Sequence, residues 1–100
     1  MAIDYAKEIR TLINTGKYVL GSRNTYKDAA NGKVKAIIIA SNISDLTIKK
    51  FENISKLLEI RLLKVPFTSH DLGSVCGRAH VISAIGVYEV GDSKILSEET

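Results

Sequence analysis

Apolar residues recur along this chain at two alternating spacings, which predict alternating helices and strands. In the predicted strands apolar residues follow one another directly, whereas in the predicted helices they lie three or four positions apart. The predicted helices end near residues 13, 31, 58 and 75, and the predicted strands cover 17–20, 36–40, 61–65 and 81–87. A last short piece is predicted at 93–96, after a turn at 91–92. Such alternation is typical of an α/β fold.

Polar residues ahead of the apolar stretches indicate where the helices begin, because their side-chain oxygens accept hydrogen bonds from N–H groups of the first turn. The candidate caps are Asp4 for the first helix, Asn42 or Ser44 for the third, and Thr68 or Ser69 for the fourth. The second helix is predicted to run from Asn24 to Asn31 and to stop at Gly32. In the third helix, the side chains expected to face the core are those of Ile48, Phe51, Ile54 and Leu58.

The run at residues 36–40 is apolar at every position. A strand with this pattern is covered on both faces, and such strands usually have parallel neighbours. We therefore predict a three-layer α/β/α sandwich, in which a mixed, mostly parallel four-stranded sheet carries helices on both faces. The run is far shorter than the roughly 20 residues of a membrane helix, so no membrane association is expected.

Composition fits one soluble domain spanning residues 1–100, with 45% hydrophobic and 25% charged residues. The single cysteine, Cys76, cannot form an internal disulfide, and no charged and then apolar leader is apparent. A reducing compartment, the cytoplasm, is therefore the expected location.

The net charge of +3 conceals an asymmetry along the chain. In residues 88–100, four acidic side chains stand against one lysine, a net charge of −3, which leaves +6 for residues 1–87. A basic body of this kind favours a polyanionic partner, although it also serves solubility. The acidic end is expected to fray in part.

The segment at residues 21–27 reads as an anion-binding helix start. Gly21 permits a tight turn, and Arg23 and Lys27 bring two positive charges to the first turns of a helix. The first N–H groups of a helix lack partners within it and the helix dipole is positive there, so phosphate is favoured. The alternative is a simple strand-to-helix turn with solvated cations. The segment lacks the glycine patterns of nucleotide-binding loops, which disfavours a nucleotide cofactor.

Ligands of open α/β sheets collect beyond the carboxyl ends of the strands. The Gly21 loop and the loop with Ser41 and Asn42 are both predicted at that edge, and the loop at 76–80 could join them. Within this third loop, His80 is either an ordinary surface or packed imidazole, or a side chain that stacks on a base or contacts phosphate.

Other groups of residues suggest chemistry but have simpler structural explanations. Ser69, His70 and Asp71 are sequence neighbours and cannot form a hydrolase triad, whose side chains must meet each other, so helix capping explains them better. Cys76 follows a helix end, where a thiol is not activated, and is expected to be a small buried residue. Two histidines and one cysteine do not assemble a metal site.

Four blocks of the sequence, at residues 21–27, 32–42, 72–78 and 91–96, resemble the L-thirty-e family of archaeal and eukaryotic large-subunit ribosomal proteins. The blocks occur in the family's order and span nearly the whole chain. The resemblance implies a three-layer α/β/α sandwich of the kink-turn RNA-binding superfamily, with no enzymatic activity and no cofactor.

The resemblance also implies which residues contact RNA. The first group of RNA contacts would be Gly21, Ser22, Arg23, Asn24, Thr25 and Lys27. Asn42 would be a neighbouring contact, and the second group would be Gly77, Arg78 and His80. Superfamily relatives outside this branch commonly carry Asn-Glu where this chain has Asn24-Thr25, so the carboxylate that reads a guanine edge is missing here. Some eukaryotic members have an aromatic residue where this chain has His80, which stacks less extensively but can donate a hydrogen bond.

These observations lead to one functional hypothesis and two alternatives. The hypothesis is a structural constituent of the large ribosomal subunit that binds kink-turn ribosomal RNA, contacts neighbouring ribosomal proteins, and is a monomer when free. One alternative is a small phosphate-binding enzyme in which the Gly21 helix start holds the phosphate and His70 or His80 acts as acid or base. The other is a free RNA-binding regulator that uses the same surface outside the ribosome.

Overall fold

The computed structural model describes residues 5–91, which form alternating helices and strands. Their bounds are α1 Tyr5–Thr15, β1 Lys17–Leu20, α2 Ser22–Ala30, β2 Ala36–Ile39, α3 Asp45–Leu58, β3 Arg61–Lys64, α4 Ser69–Val75 and β4 Ala84–Glu89. Each helix and strand that the sequence predicts within these residues is confirmed. The predicted cap Asp4, the acidic end from residue 92 onward and the piece predicted at 93–96 lie outside the described residues.

The strands form one mixed sheet in the order β1-β4-β2-β3. β2 and β3 are parallel, whereas β4 lies between β1 and β2 and is antiparallel to both. The predicted α/β class with a mixed four-stranded sheet is confirmed, but the expectation that β2 has parallel neighbours holds on one side only. The apolar pattern of β2 reports burial on both faces, and burial does not determine the direction of a neighbouring strand.

The strands β1, β2 and β3 all point the same way, because β1 and β2 are both antiparallel to β4 and β3 is parallel to β2. Their carboxyl ends therefore meet at one edge of the sheet, together with the amino end of β4. At this edge Leu20 pairs with Ile85, and Ile39 pairs with Ala84. We call it the carboxyl edge.

Helices cover both faces of the sheet, as the predicted three-layer sandwich requires. The first core cluster includes Ile9, Leu12 and Leu72 from α1 and α4, and the second includes Ala29, Phe51 and Ile54 from α2 and α3. Alternate residues of β2 enter the two clusters, with Ile38 in the first and Ile37 and Ile39 in the second. Within residues 5–91, no helix combines the length and the apolar character that crossing a bilayer requires.

The helix caps decide between alternatives that the sequence leaves open. Ser44 caps α3, where its hydroxyl accepts a hydrogen bond of 3.3 Å from the N–H of Thr47. Thr68 caps α4, where its hydroxyl accepts one of 3.1 Å from the N–H of Asp71. The carboxylate of Asp71 lies in the first turn, where the helix dipole favours negative charge.

The largest differences from the predicted element boundaries are at the starts of α2 and β4. α2 begins at Ser22 rather than Asn24, because Gly21 has a φ of 99° and turns the chain directly into the helix. β4 begins at Ala84 rather than Val81, which lies in the preceding loop and is 57% exposed.

The structure corrects the predicted buried side of α3 at Leu58. Phe51 and Ile54 are buried as predicted, but Leu58, the last residue of the helix, is 41% exposed. The next residue, Glu59, has a left-handed backbone conformation with φ 56° and ψ 42°, which turns the chain out of the helix. Ile60 then supplies the buried side chain in the second core cluster.

We expect that Glu59→Gly stabilises the protein. A residue with a Cβ atom is strained in the left-handed region, whereas glycine adopts it freely, so the free energy of unfolding should rise by about 0.5–1 kcal/mol. Urea denaturation measures this change. Glu59→Ala is the control, because it removes the charge and keeps the strain; an equal gain in that variant would contradict the backbone explanation.

Candidate functional site

Backbone hydrogen bonds hold several connections together at the carboxyl edge. They run from the N–H of Gly21 to the carbonyl of Ala84 at 2.9 Å, from Ala40 to Ser83 at 2.9 Å, and from Ser41 to Phe67 at 2.8 Å. The loop after β1 and the loop after β2 are thus each bonded to the residues that begin β4, and the loop after β2 is also bonded to the loop after β3. The predicted convergence of these loops at one edge is confirmed.

Asn42 adds a side-chain link at the same edge. Its Oδ1 accepts a hydrogen bond of 2.8 Å from the N–H of Ser69, the first residue of α4. The side chain is exposed, and its amide nitrogen retains two donor hydrogens. Asn42 therefore serves the structure of the edge and also presents polar atoms at its surface.

The start of α2 is an open helix N-terminus. Gly21 is the N-cap residue and provides no side-chain cap, while its carbonyl accepts the N–H of Thr25 at 3.0 Å. The N–H groups of the first three helical residues consequently have no acceptor within the helix. The first turn contains no acidic residue, so the positive end of the helix dipole is not neutralised there. This arrangement suits an anion, as the sequence predicts.

Exposed polar side chains surround this helix start. Arg23, Asn24 and Lys27 are exposed, and Ser22 is partly buried. Among residues 5–91, neither Arg23 nor Lys27 has a carboxylate within salt-bridge distance. Their charges therefore remain available to an external anion.

The structure corrects one predicted contact residue, Thr25. It is completely buried on the side of α2 that faces the sheet, and a Cβ atom built on Gly86 of β4 would lie only 3.2 Å from its Cγ2. In this structure the side chain of Thr25 is therefore not presented at the surface of the carboxyl edge. The exposed side chains of the first turn are those of Arg23 and Asn24.

A contact between β4 and α2 also fixes the position of this helix. The hydroxyl of Tyr88 donates a hydrogen bond to the carboxylate of Asp28. This bond and the nearby negative charge raise the pKa of the Tyr88 hydroxyl. Together with the close packing at Gly86, it holds α2 against the sheet.

The loop between α4 and β4 crosses closely over α4. The N–H of Arg78 donates to the carbonyl of Gly73 at 2.9 Å, and Gly77 has a φ of 74° that glycine adopts without strain. The guanidinium of Arg78 donates a hydrogen bond of 3.0 Å to the hydroxyl of Tyr18 on β1. Gly77, Arg78 and His80 are all exposed on this loop, which leads into β4 at the carboxyl edge.

His80 and Val81 form the outer part of this loop. Nδ1 of His80 lies 3.1 Å from the carbonyl oxygen of Val81. Val81 is an exposed apolar side chain beside the predicted contact residues. Its β-branched side chain continues the strand pattern, so the sequence predicts it within β4 rather than as an exposed loop residue. Its position directly after the polar loop is the signal that could have marked it as exposed.

The other candidates for chemistry have structural roles. Burial raises the pKa of the Cys76 thiol to about 11, which the charge of Arg78 opposes only in part, so the thiol is protonated at neutral pH. Nδ1 of His70 lies 3.9 Å from Asp71, and both side chains are largely exposed. The part of the chain that the structure describes contains no group of three or more histidine, cysteine or acidic side chains that could hold a metal ion.

Comparison with known proteins finds similarity over nearly the whole chain. The sequence profile of the ribosomal protein L7Ae/L30e/S12e/Gadd45 family matches residues 4–97. The large ribosomal subunit protein eL30 of Methanothermobacter thermautotrophicus is 37% identical, over 94% of this chain and 96% of the relative. The eL30 protein of Sulfurisphaera tokodaii is 36% identical, over 94% of this chain and 89% of the relative.

One solved structure supports the fold. A protein of unknown function from Bacillus halodurans superimposes with a TM-score of 0.81, covering 97% of this chain and 96% of that protein. Its sequence is 23% identical, so the similarity concerns the architecture alone.

We expect that Thr25→Val stabilises the protein. Within residues 5–91 the buried hydroxyl of Thr25 has no hydrogen-bond partner, and replacing it with a methyl group should raise the free energy of unfolding by about 1 kcal/mol. Denaturant titration measures the change. Thr25→Ser, which keeps the hydroxyl and loses the methyl, should destabilise. A loss of stability in the valine variant would show that the hydroxyl has a buried partner.

We expect that Gly73→Ala destabilises the protein and displaces the loop that carries Arg78 and His80. A Cβ atom at Gly73 would lie 2.2 Å from the carbonyl oxygen of His80, so the loop must move away from α4. The cost should be about 1–3 kcal/mol. Denaturation measures it, and the amide chemical shifts of residues 78–81 report the displacement. The exposed neighbour Ser74 provides the control, since Ser74→Ala should change stability by less than about 0.5 kcal/mol.

Proposed function

The chain belongs to the ribosomal protein L7Ae/L30e/S12e/Gadd45 family, as the four blocks of its sequence predict, and we propose that it is a structural component of the large ribosomal subunit. The curated relatives support this proposal, because they are large ribosomal subunit proteins and match nearly end to end. The role is structural rather than enzymatic. On this basis its partners are ribosomal RNA and neighbouring ribosomal proteins, and its location is the ribosome in the cytoplasm.

The carboxyl edge is the RNA-binding surface in this proposal, and its target is a kink-turn, a sharply bent RNA. The observation that carries the proposal is the joining of the Gly21 loop to the start of β4 through the bond from Gly21 to Ala84. Because of this bond, the open start of α2 lies beside the residues through which the loop with Arg78 and His80 enters β4. A bent RNA offers phosphates from two converging strands, which suits two neighbouring cationic loops.

Each group at this edge has a distinct role in the proposal. The open N–H groups of α2, with Arg23 and Lys27, hold phosphates of one strand. Asn24, exposed in the first turn, contacts a base or a ribose. Arg78 has donors left beside its bond to Tyr18, because a guanidinium has five N–H groups, and these contact the second strand. His80 stacks on a base or donates to phosphate, while Thr25 makes no contact.

The charge distribution supports a polyanionic partner. Residues 1–87 carry a net charge of +6, which draws the protein toward RNA and makes the affinity depend on salt.

We propose that the free protein is a monomer. Co-sedimentation with large ribosomal subunits separates the ribosomal role from that of a free RNA-binding regulator, since both use the same surface.

We expect that binding to a kink-turned fragment of large-subunit ribosomal RNA weakens strongly with salt. Three phosphate contacts, by Arg23, Lys27 and Arg78, predict a slope of about −2.1 to −2.7 in a plot of log affinity against log salt. Affinity should fall by about 20- to 40-fold between 50 and 200 mM salt. Fluorescence anisotropy at several salt concentrations measures both quantities, and a flat response would contradict electrostatic binding.

The variants Lys27→Ala and Arg78→Ala test the same contacts one at a time. Each should reduce affinity at least about fivefold, or about 1 kcal/mol, and lower the salt slope by a little under one. Lys56→Ala is the control, because Lys56 is an exposed lysine in the last turn of α3, which leads away from the carboxyl edge to the start of β3. If the three variants bind equally well, the RNA contacts another surface.

A further inference from the structure

A concave surface lies beside the start of α2. It has a volume of about 260 Å³ and lies between α2 and α3. Its lining residues are Ser22, Arg23 and Tyr26 from α2 and Thr47, Lys50 and Phe51 from α3. We call it the α2–α3 cleft. Ser22 and Arg23 belong both to this cleft and to the open helix start, so the two surfaces are continuous.

The cleft carries two positive charges without local compensation. Arg23 and Lys50 lie on its two sides, and within residues 5–91 neither has a carboxylate at salt-bridge distance. Lys64, by contrast, is paired with Glu52 at 2.7 Å. The cations of the cleft are thus available to an anion that enters between the two helices.

An aromatic ring of defined orientation lies next to these charges. Tyr26 contacts Phe51 edge to face, with ring centroids 6.0 Å apart and an interplanar angle of 67°. Phe51 is 1% exposed and fixed in the core, whereas Tyr26 is 38% exposed. A packed ring supports the open one, so Tyr26 offers an oriented aromatic surface on which a base can stack.

The size of the cleft limits its occupant. Its volume of about 260 Å³ is smaller than the roughly 300–1,000 Å³ of pockets that take drug-sized ligands. This size indicates a small occupant rather than a base-paired stretch of RNA. The two cations, the hydroxyl groups of Ser22 and Thr47 and the exposed ring of Tyr26 provide groups that can recognise phosphate, sugar and base.

We propose that the α2–α3 cleft binds one unpaired nucleotide of the RNA held at the carboxyl edge. Its phosphate lies between Arg23 and Lys50, and its base stacks on Tyr26. This inference rests on the proposed function and extends the RNA-binding surface from the strand ends onto the side of α3. It assigns RNA contacts to Tyr26 and Lys50, two residues outside the site that the sequence predicts.

The first experiment examines the cleft without RNA. Uridine 5′-monophosphate and inorganic phosphate are titrated separately into the protein, and amide chemical shifts are followed by NMR. We expect the nucleotide to shift residues on both sides of the cleft and to bind at least about fivefold more tightly than phosphate. Lys50→Ala should weaken nucleotide binding about fivefold or more, and Lys49→Ala, its exposed neighbour on α3, should not. Equal binding of phosphate and nucleotide would overturn the proposal.

The second experiment examines the cleft with RNA. A kink-turn hairpin is prepared with and without an unpaired 4-thiouridine beside the bend, and its affinity and photo-crosslinks are measured. We expect Lys50→Ala and Tyr26→Leu to weaken binding of the extended hairpin about five- to tenfold and that of the plain hairpin less than twofold. Tyr26→Phe retains the ring and should bind as the wild type does. Crosslinks should map to Tyr26 or to α3.

The two experiments separate this inference from the proposed function. If the wild type binds the plain hairpin and the cleft variants lose nothing on the extended one, the inference is wrong and the proposed function stands. If no hairpin is bound but the nucleotide still occupies the cleft and requires Lys50, the nucleotide site stands and the kink-turn proposal is wrong. Crosslinks confined to the loop at 76–80 would also overturn the inference.

Discussion

The antiparallel insertion of β4 between β1 and β2 is the constraint on which the rest of this structure depends. Because β4 runs against both neighbours, its first residues lie beside the last residues of β1 and β2. The loop that precedes β4 must therefore arrive at the edge where the loops after β1 and β2 depart. With β4 in the parallel direction, the residues that immediately precede it would arrive at the opposite edge, and the bonds from Gly21 to Ala84 and from Ala40 to Ser83 could not form.

Close approach of backbone elements gives this edge its shape. At Gly86, the absence of a side chain allows α2 to pack closely on the sheet, with its own Thr25 facing β4. The first turn therefore presents Arg23 and Asn24 outward. At Gly73, it allows the loop with His80 to lie directly against α4. Neither glycine contacts a ligand in the proposed function. Each determines which side chains on the neighbouring segment can do so.

The sequence predicts local structure well and non-local structure less well, for physical reasons. The apolar periodicity of α3 and the run in β2 report burial, which depends on positions close in the chain, so these elements are recognised. The direction of β4 depends on partners far away in the sequence, and no local pattern encodes it. The burial of Thr25 depends on how α2 is rotated against the sheet, which is determined by its packing on residues far away in the sequence, such as Gly86 of β4. The cleft requires two helices to lie side by side, so Tyr26 and Lys50 carry no signal as separate residues.

The hydrogen bond from Arg78 to Tyr18 has a thermodynamic consequence. An arginine on a surface loop ordinarily samples many rotamers, and fixing it on a partner costs conformational entropy of up to about 2 kcal/mol. Here the phenol of β1 already restrains the guanidinium before any partner arrives. Part of that entropy is lost on folding, when the core supplies the compensating free energy, and association therefore begins with an arginine that needs little further ordering.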